Sequence, residues 1–84
     1  MGEKQGEVLE AMKERLAERG IQGDDVKMES KLSDDLGLDS LDTVEVTLGL
    51  EEKFGIDIDD SELEDVETVG DAVNLIEKKI SAAA

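Results

Sequence analysis

Cysteine, histidine, proline, tryptophan and tyrosine are all absent from this 84-residue chain, and phenylalanine occurs once. Without cysteine there are no disulfides and no thiolate metal sites. Without histidine the chain lacks the side chain most often used as a base near neutral pH, and the commonest ligand of transition metals. No serine then has an evident base to activate it, which argues against an enzyme built on a nucleophile–base pair. Without proline, glycine, aspartate and serine must punctuate the fold. Basic residues are scarce as well: 9 Lys and Arg stand against 24 Asp and Glu, a formal net charge of −15. Such a surface repels nucleic-acid phosphates and anionic lipid, so neither is an expected partner. Its natural complement is a basic protein patch, approached at a salt-sensitive rate. No apolar run reaches membrane-spanning length, and the opening Met1-Gly2-Glu3-Lys4-Gln5-Gly6-Glu7 lacks the apolar stretch of a signal peptide. The expectation is a cytoplasmic monomer folded as one domain over residues 1–84.

The apolar share is 38%, and it falls in periodic stripes, which favours a folded domain over a disordered acidic chain. Val8, Leu9, Met12 and Leu16 predict a helix from about Glu3 to Arg19, stopped by Gly20. Residues Ile21 to Asp39 hold no helical period. Gly23, Asp24, Asp25, Ser33, Asp34, Asp35 and Gly37 form loops, while Ile21, Val26, Met28, Leu32, Leu36 and Leu38 are expected to pin the connection across the top of a bundle. A second helix is predicted over Ser40 to Phe54, with Gly55 closing it. One face gathers Thr43, Val46, Thr47, Leu50 and Phe54; the nearly opposite face carries Leu41, Val44 and Leu48 among Glu45, Glu51 and Glu52. A helix buried on one side needs no second apolar stripe, and no basic residue occurs from Leu32 to Glu52. Apolar anchors ringed by carboxylates describe a docking surface for a basic, grooved partner. Asp59 can cap a short turn through Ser61, Glu62, Leu63 and Glu64. Thr68 with Asp71 reads as a capping box for a last helix carrying Val69, Ala72, Val73, Ile76 and Ile80. Lys78 and Lys79 are expected in its last turn, and Ser81 to Ala84 as a frayed tail. The fold class is all-α: a small four-helix bundle of three main helices and one short one, with a long first loop.

The segment Asp34-Asp35-Leu36-Gly37-Leu38-Asp39-Ser40-Leu41-Asp42 lies where the loop becomes the second helix. Ser40 falls at or just before the first helical residue, where free backbone N–H groups and the positive end of the dipole would favour a phosphodiester on its hydroxyl. Gly37 permits a tight approach, and Asp39 can organise the turn. The position suits an ordinary N-capping serine equally well.

The run Asp39-Ser40-Leu41-Asp42-Thr43-Val44-Glu45 closely resembles the acyl carrier protein family, in its discrete form serving a type II fatty-acid synthase. So do Leu36-Gly37 before it, Leu50-Glu51-Glu52-Lys53-Phe54 after it, and the later Thr68-Val69-Gly70-Asp71. The resemblance implies a carrier rather than a catalyst. Ser40, flanked by Asp39 and Leu41, would receive 4′-phosphopantetheine from coenzyme A through a phosphopantetheinyl transferase. The arm would carry growing fatty acyl chains as thioesters to fatty-acid synthesis enzymes and acyltransferases with basic docking patches. The matching recognition face is Asp39, Leu41, Asp42, Val44, Glu45, Leu48, Glu51 and Glu52, coincident with the second stripe found from periodicity. An acyl pocket would be lined by Leu32, Leu36, Val46, Thr47, Leu50, Phe54, Ile58, Leu63, Val69, Ala72 and Ile76. Thr47, Gly49 and Asp59 depart from the residues usual in such carriers, which leaves chain length open, and a polyketide, aminoacyl or D-alanine cargo is an alternative. A glycine-rich lead into the serine and lower acidity, usual in peptidyl carriers, are missing. An acidic calcium binder or adaptor is a reading of another class. Asp57, Asp59 and Ser61 alternate as in a calcium loop, but Glu62 and Thr68 stand where its glycine and bidentate glutamate belong.

Overall fold

Apolar residues at three- and four-residue intervals become the inward faces of three long helices. The computed structural model describes residues 2–83. Its elements are α1 (Gly2–Ala17), a 3₁₀ turn (Gly23–Asp25), α2 (Ser40–Phe54), α3 (Asp60–Leu63) and α4 (Val69–Ala83). This is the expected all-α bundle of three main helices and a short one. Met1 and Ala84, the ends of the expected domain, lie outside the described residues.

α1 packs on both α2 and α4. Val8, Ala11, Met12 and Leu16 of α1 meet Val46 and Leu50 of α2 and Val69, Ala72, Val73 and Ile76 of α4 in one buried cluster. Helix α1 ends at Ala17 rather than Arg19. The N–H groups of Arg19 and Ile21 both bond the Leu16 carbonyl, and Gly20 takes φ 86°, so the chain leaves the helix axis two residues early. That exit frees Arg19 from the helix surface.

The long connection is tied down by backbone as well as by its apolar residues. Val26, Leu32 and Leu38 are buried, with Ile21, Met28 and Leu36 packed against the core. Buried Ser30 accepts the Lys27 N–H and donates to the Asp25 carbonyl, both at 3.0 Å. Lys31 and Thr68 form an antiparallel bridge, and Leu32 N–H donates to the Glu67 carbonyl at 3.0 Å. At the start of α4, Val69 and Gly70 donate to the carbonyls of Ser30 and Met28 at 2.9 and 2.8 Å. Two N–H groups that a helix start leaves without intrahelical partners thus fasten the loop. A Cβ at Gly70 would lie 2.9 Å from the Met28 carbonyl oxygen, so this close approach requires glycine.

The predicted caps form. Asp71 N–H bonds Thr68 Oγ1 at 3.1 Å, and Asp71 Oδ2 accepts from Thr68 and Glu67 at 3.2 and 3.1 Å. Those two backbone donors hold the Asp71 carboxyl below its ordinary pKa. Asp59 N–H reaches Glu62 Oε2 at 3.1 Å at the start of α3. Helix α4 runs to Ala83, so Ser81 to Ala83 are helical rather than frayed, and Lys78 and Lys79 sit before the last turn. Lys79 is turned inward to another use, a 2.9 Å ion pair with Glu62 of α3.

Candidate functional site

Helix α2 begins where the loop hands its polar chain ends to a capping box. Asp39, at φ −91° and ψ −176°, is the N-cap. Its Oδ1 accepts the Asp42 N–H at 2.8 Å, and Asp42 Oδ2 accepts the Asp39 N–H at 3.3 Å. Sequence alone left capping to Ser40 or another function; the structure assigns the cap to Asp39. Ser40 is therefore the first residue of α2, exposed, and its hydroxyl makes no hydrogen bond to the described residues. A serine that neither caps nor packs, at the positive end of a 15-residue helix, presents a free oxygen where an attached anion is favoured. The neighbouring Asp39 and Asp42 oppose that anion, and the arrangement offsets them by tying each to the other's backbone N–H.

An open groove of about 670 Å³ starts at Ser40 and runs between the loop, α2 and α3. Leu38, Thr43, Val44, Leu63 and Val66 line its apolar part, with Lys31 the one basic residue along it. Val44 is half-buried there and so does not share the full exposure of Leu41 and Leu48. Those two are 72% and 53% exposed, the large hydrophobics that the described fold leaves to solvent.

The predicted recognition residues meet different fates. Glu45 and Glu52 are exposed. Glu51 turns back to the chain, its Oε1 accepting the Ile58 N–H and closing the loop after α2. Asp42 Oδ1 and Glu45 Oε2 are both engaged by Arg19, through Nη1 and Nη2 respectively. Sequence reasoning missed Arg19. It saw a segment free of cations, while the cation arrives from 23 and 26 residues away. Arg15, one turn earlier, lies across Gly49, its Nη2 3.5 Å from the Gly49 carbonyl. A Cβ at Gly49 would meet the Arg15 guanidinium at 2.8 Å, so a side chain there requires Arg15 to move.

The predicted pocket residues are a packed interior. Leu32, Val46, Thr47, Leu50, Ile58, Val69, Ala72 and Ile76 are buried, with Leu36, Phe54 and Leu63 at the margin of the same core. The void among Met12, Leu16, Leu32, Leu38, Thr43, Val46, Thr47 and Ala72 measures about 10 Å³. That is a space about the size of one water molecule. Among the pocket residues expected from sequence, Leu32, Val46, Thr47 and Ala72 border it, and Leu63 lines the outer groove instead.

Residues 7–76 match the family model described as phosphopantetheine attachment site. An acyl carrier protein of Thermotoga maritima is 44% identical over 75 residues, covering 88% of this chain and 93% of the relative. An acyl carrier protein of Clostridium acetobutylicum is 50% identical over 70 residues, covering 82% and 91%. Among solved structures, a crystal structure of an acyl carrier protein from Thermotoga maritima superposes with a TM-score of 0.87. It covers 96% of this chain and 95% of that one at 23% identity, a likeness of fold.

Proposed function

This chain belongs to the acyl carrier protein family and contains its phosphopantetheine-attachment domain, and on that premise we propose that Ser40 is the attachment serine of a carrier for growing fatty acyl chains. The observation that carries the assignment is the division of labour at the start of α2. Asp39 does the capping, which leaves the Ser40 hydroxyl exposed at the positive end of the helix and without a hydrogen bond among the described residues. The residues present fit a 4′-phosphopantetheine group: its phosphate would meet the N–H groups of Ser40 and Leu41, which the cap does not use, and the groove beginning at Ser40 leaves room beside it. When bound, that group supplies the thiol that the cysteine-free chain lacks and holds acyl groups as thioesters.

The protein's own part is presentation, and it acts as the substrate of a phosphopantetheinyl transferase, not as an enzyme. Asp39, Asp42, Glu45 and Glu52 supply charge for basic patches on that transferase and on fatty-acid synthesis enzymes and acyltransferases. Leu41 and Leu48 supply apolar anchors, Val44 continues them into the groove, and Glu51 holds the end of α2 by its bond to Ile58. Two exposed leucines are too small an apolar patch for a stable homodimer, which supports a monomer. Residues 1–84 act as one carrier domain around one core, working in the cytoplasm beside those enzymes. Among the described residues no helix is long and apolar enough to cross a membrane. The acyl pocket is closed at rest, so an acyl chain entering among Leu32, Val46, Thr47 and Ala72 must part the helices around the 10 Å³ void.

Peptide mass spectrometry after exposure to coenzyme A and a phosphopantetheinyl transferase tests the site. The added mass is expected on the fragment bearing Ser40. Its appearance on Ser33 or Ser61 would overturn the assignment.

A further inference from the structure

Arg19 belongs to no helix. It lies in the turn after α1, yet its guanidinium spans two carboxylates of α2, with Nη1 on Asp42 Oδ1 at 2.5 Å and Nη2 on Glu45 Oε2. Asp42 is at the same time half of the capping box that leaves Ser40 free. Of the chain's other cations near this face, Arg15 lies over Gly49 and beside Glu18, Lys53 is at the far end of α2, and Lys31 lines the groove beside Ser40 without pairing with Asp42 or Glu45. Arg19 therefore offsets one of the two negative charges that Asp42 and Glu45 place next to Ser40. A guanidinium fork can satisfy two carboxylates at once, whereas an ammonium acts as a point charge.

We propose that Arg19 is a specificity-determining residue, an internal competitor that a docking partner's arginine must displace from Asp42 and Glu45 before the partner engages Ser40. The proposal rests on the carrier reading given above. Arg19 retains 28% side-chain exposure and Glu45 65%, so the contact is solvent-accessible and can be exchanged. Exposed pairs of this kind shift an affinity by about two- to fivefold. Displacing Arg19 thus handicaps weakly basic partners and spares those that bring a guanidinium fork of their own. Partners that dock only through Leu41 and Leu48 would not feel it.

The test is steady-state transfer of the arm from coenzyme A by a phosphopantetheinyl transferase, on the wild-type chain, Arg19→Gln and Arg19→Lys, at several salt concentrations. Circular dichroism melts would verify that each variant is folded. Arg19→Gln should lower KM by about two- to fivefold with kcat unchanged, and its KM should rise more steeply with salt, because two unshielded carboxylates now meet the enzyme. Arg19→Lys should fall between the two. An unchanged or raised KM for Arg19→Gln overturns the proposal. So does a lower kcat at constant KM, which would make Arg19 a brace for the start of α2. Refusal of the arm by all three proteins would instead defeat the carrier reading, and the proposal with it.

Discussion

Replacing Gly49 with alanine should stabilise the protein, although the new methyl has nowhere to go in the resting structure. Glycine inside a helix costs about 1 kcal/mol relative to alanine, and Gly49 sits well within the 15 residues of α2. Against this gain stands the contact of the added Cβ with Arg15, at 2.8 Å from Cζ and Nε and 3.1 Å from Cδ. The obstacle is the far end of a flexible side chain, not backbone. Among the described residues, Arg15 is held there by a 3.5 Å hydrogen bond to the Gly49 carbonyl and a 3.8 Å pair with Glu18, and its side chain is 39% exposed. Swinging it into solvent forfeits contacts worth about 0.3–0.5 kcal/mol. The balance is a gain of about 0.5 kcal/mol, or roughly 2–4 °C in Tm for a domain of this size. Thermal melts of the wild-type and Gly49→Ala chains by circular dichroism, before arm attachment, read it directly. A fall in Tm would refute the reasoning. It would mean that the close crossing of α1 on α2 through Arg15 is worth more than the helix propensity that the glycine forgoes.

Gly70→Ala should do the opposite. Its Cβ would press on the Met28 carbonyl oxygen at 2.9 Å, and backbone cannot swing aside; a loss of about 1–3 kcal/mol is expected, in line with overpacking, and urea unfolding would show it as a lower midpoint. Asp71→Ala removes the carboxylate that accepts from Glu67 and Thr68, at a cost of about 1 kcal/mol at neutral pH. Because the folded pKa of Asp71 lies below its ordinary value, its stabilisation is present above that value and is lost as pH falls through the folded pKa. The gap between wild type and variant should therefore close in acid; a gap that persists there would contradict the assigned cause.

The elements that could be read from sequence are those whose signals are local. The stripes of α1, α2 and α4, the stop at Gly55 and the Thr68–Asp71 box are all set by residues within a turn or so of each other. The candidate attachment serine was legible through the family resemblance of the run Asp39 to Glu45; its place at a helix start left capping and attachment equally open, and the backbone angles and hydrogen bonds of Asp39 decided which residue caps. What stayed hidden is long-range. Arg19 finds Asp42 and Glu45 only because α1 ends at Ala17 and the turn at Gly20 aims it across the bundle. The Lys31–Thr68 bridge is a single pair and has no period to detect. Val44 and Glu51 lie on the expected side of α2, yet α3 and the Ile58 N–H draw them into the groove and the loop, and neither partner is on α2 itself.

The central claim, that Ser40 carries a phosphopantetheine arm, is met most directly by intact-protein mass. The wild-type chain and Ser40→Ala would each be incubated with coenzyme A and a broad-specificity phosphopantetheinyl transferase. The wild-type chain should gain the mass of one phosphopantetheine and the variant none. A folded, initially unmodified wild-type chain that gains nothing, or a variant that gains as much, would contradict the account.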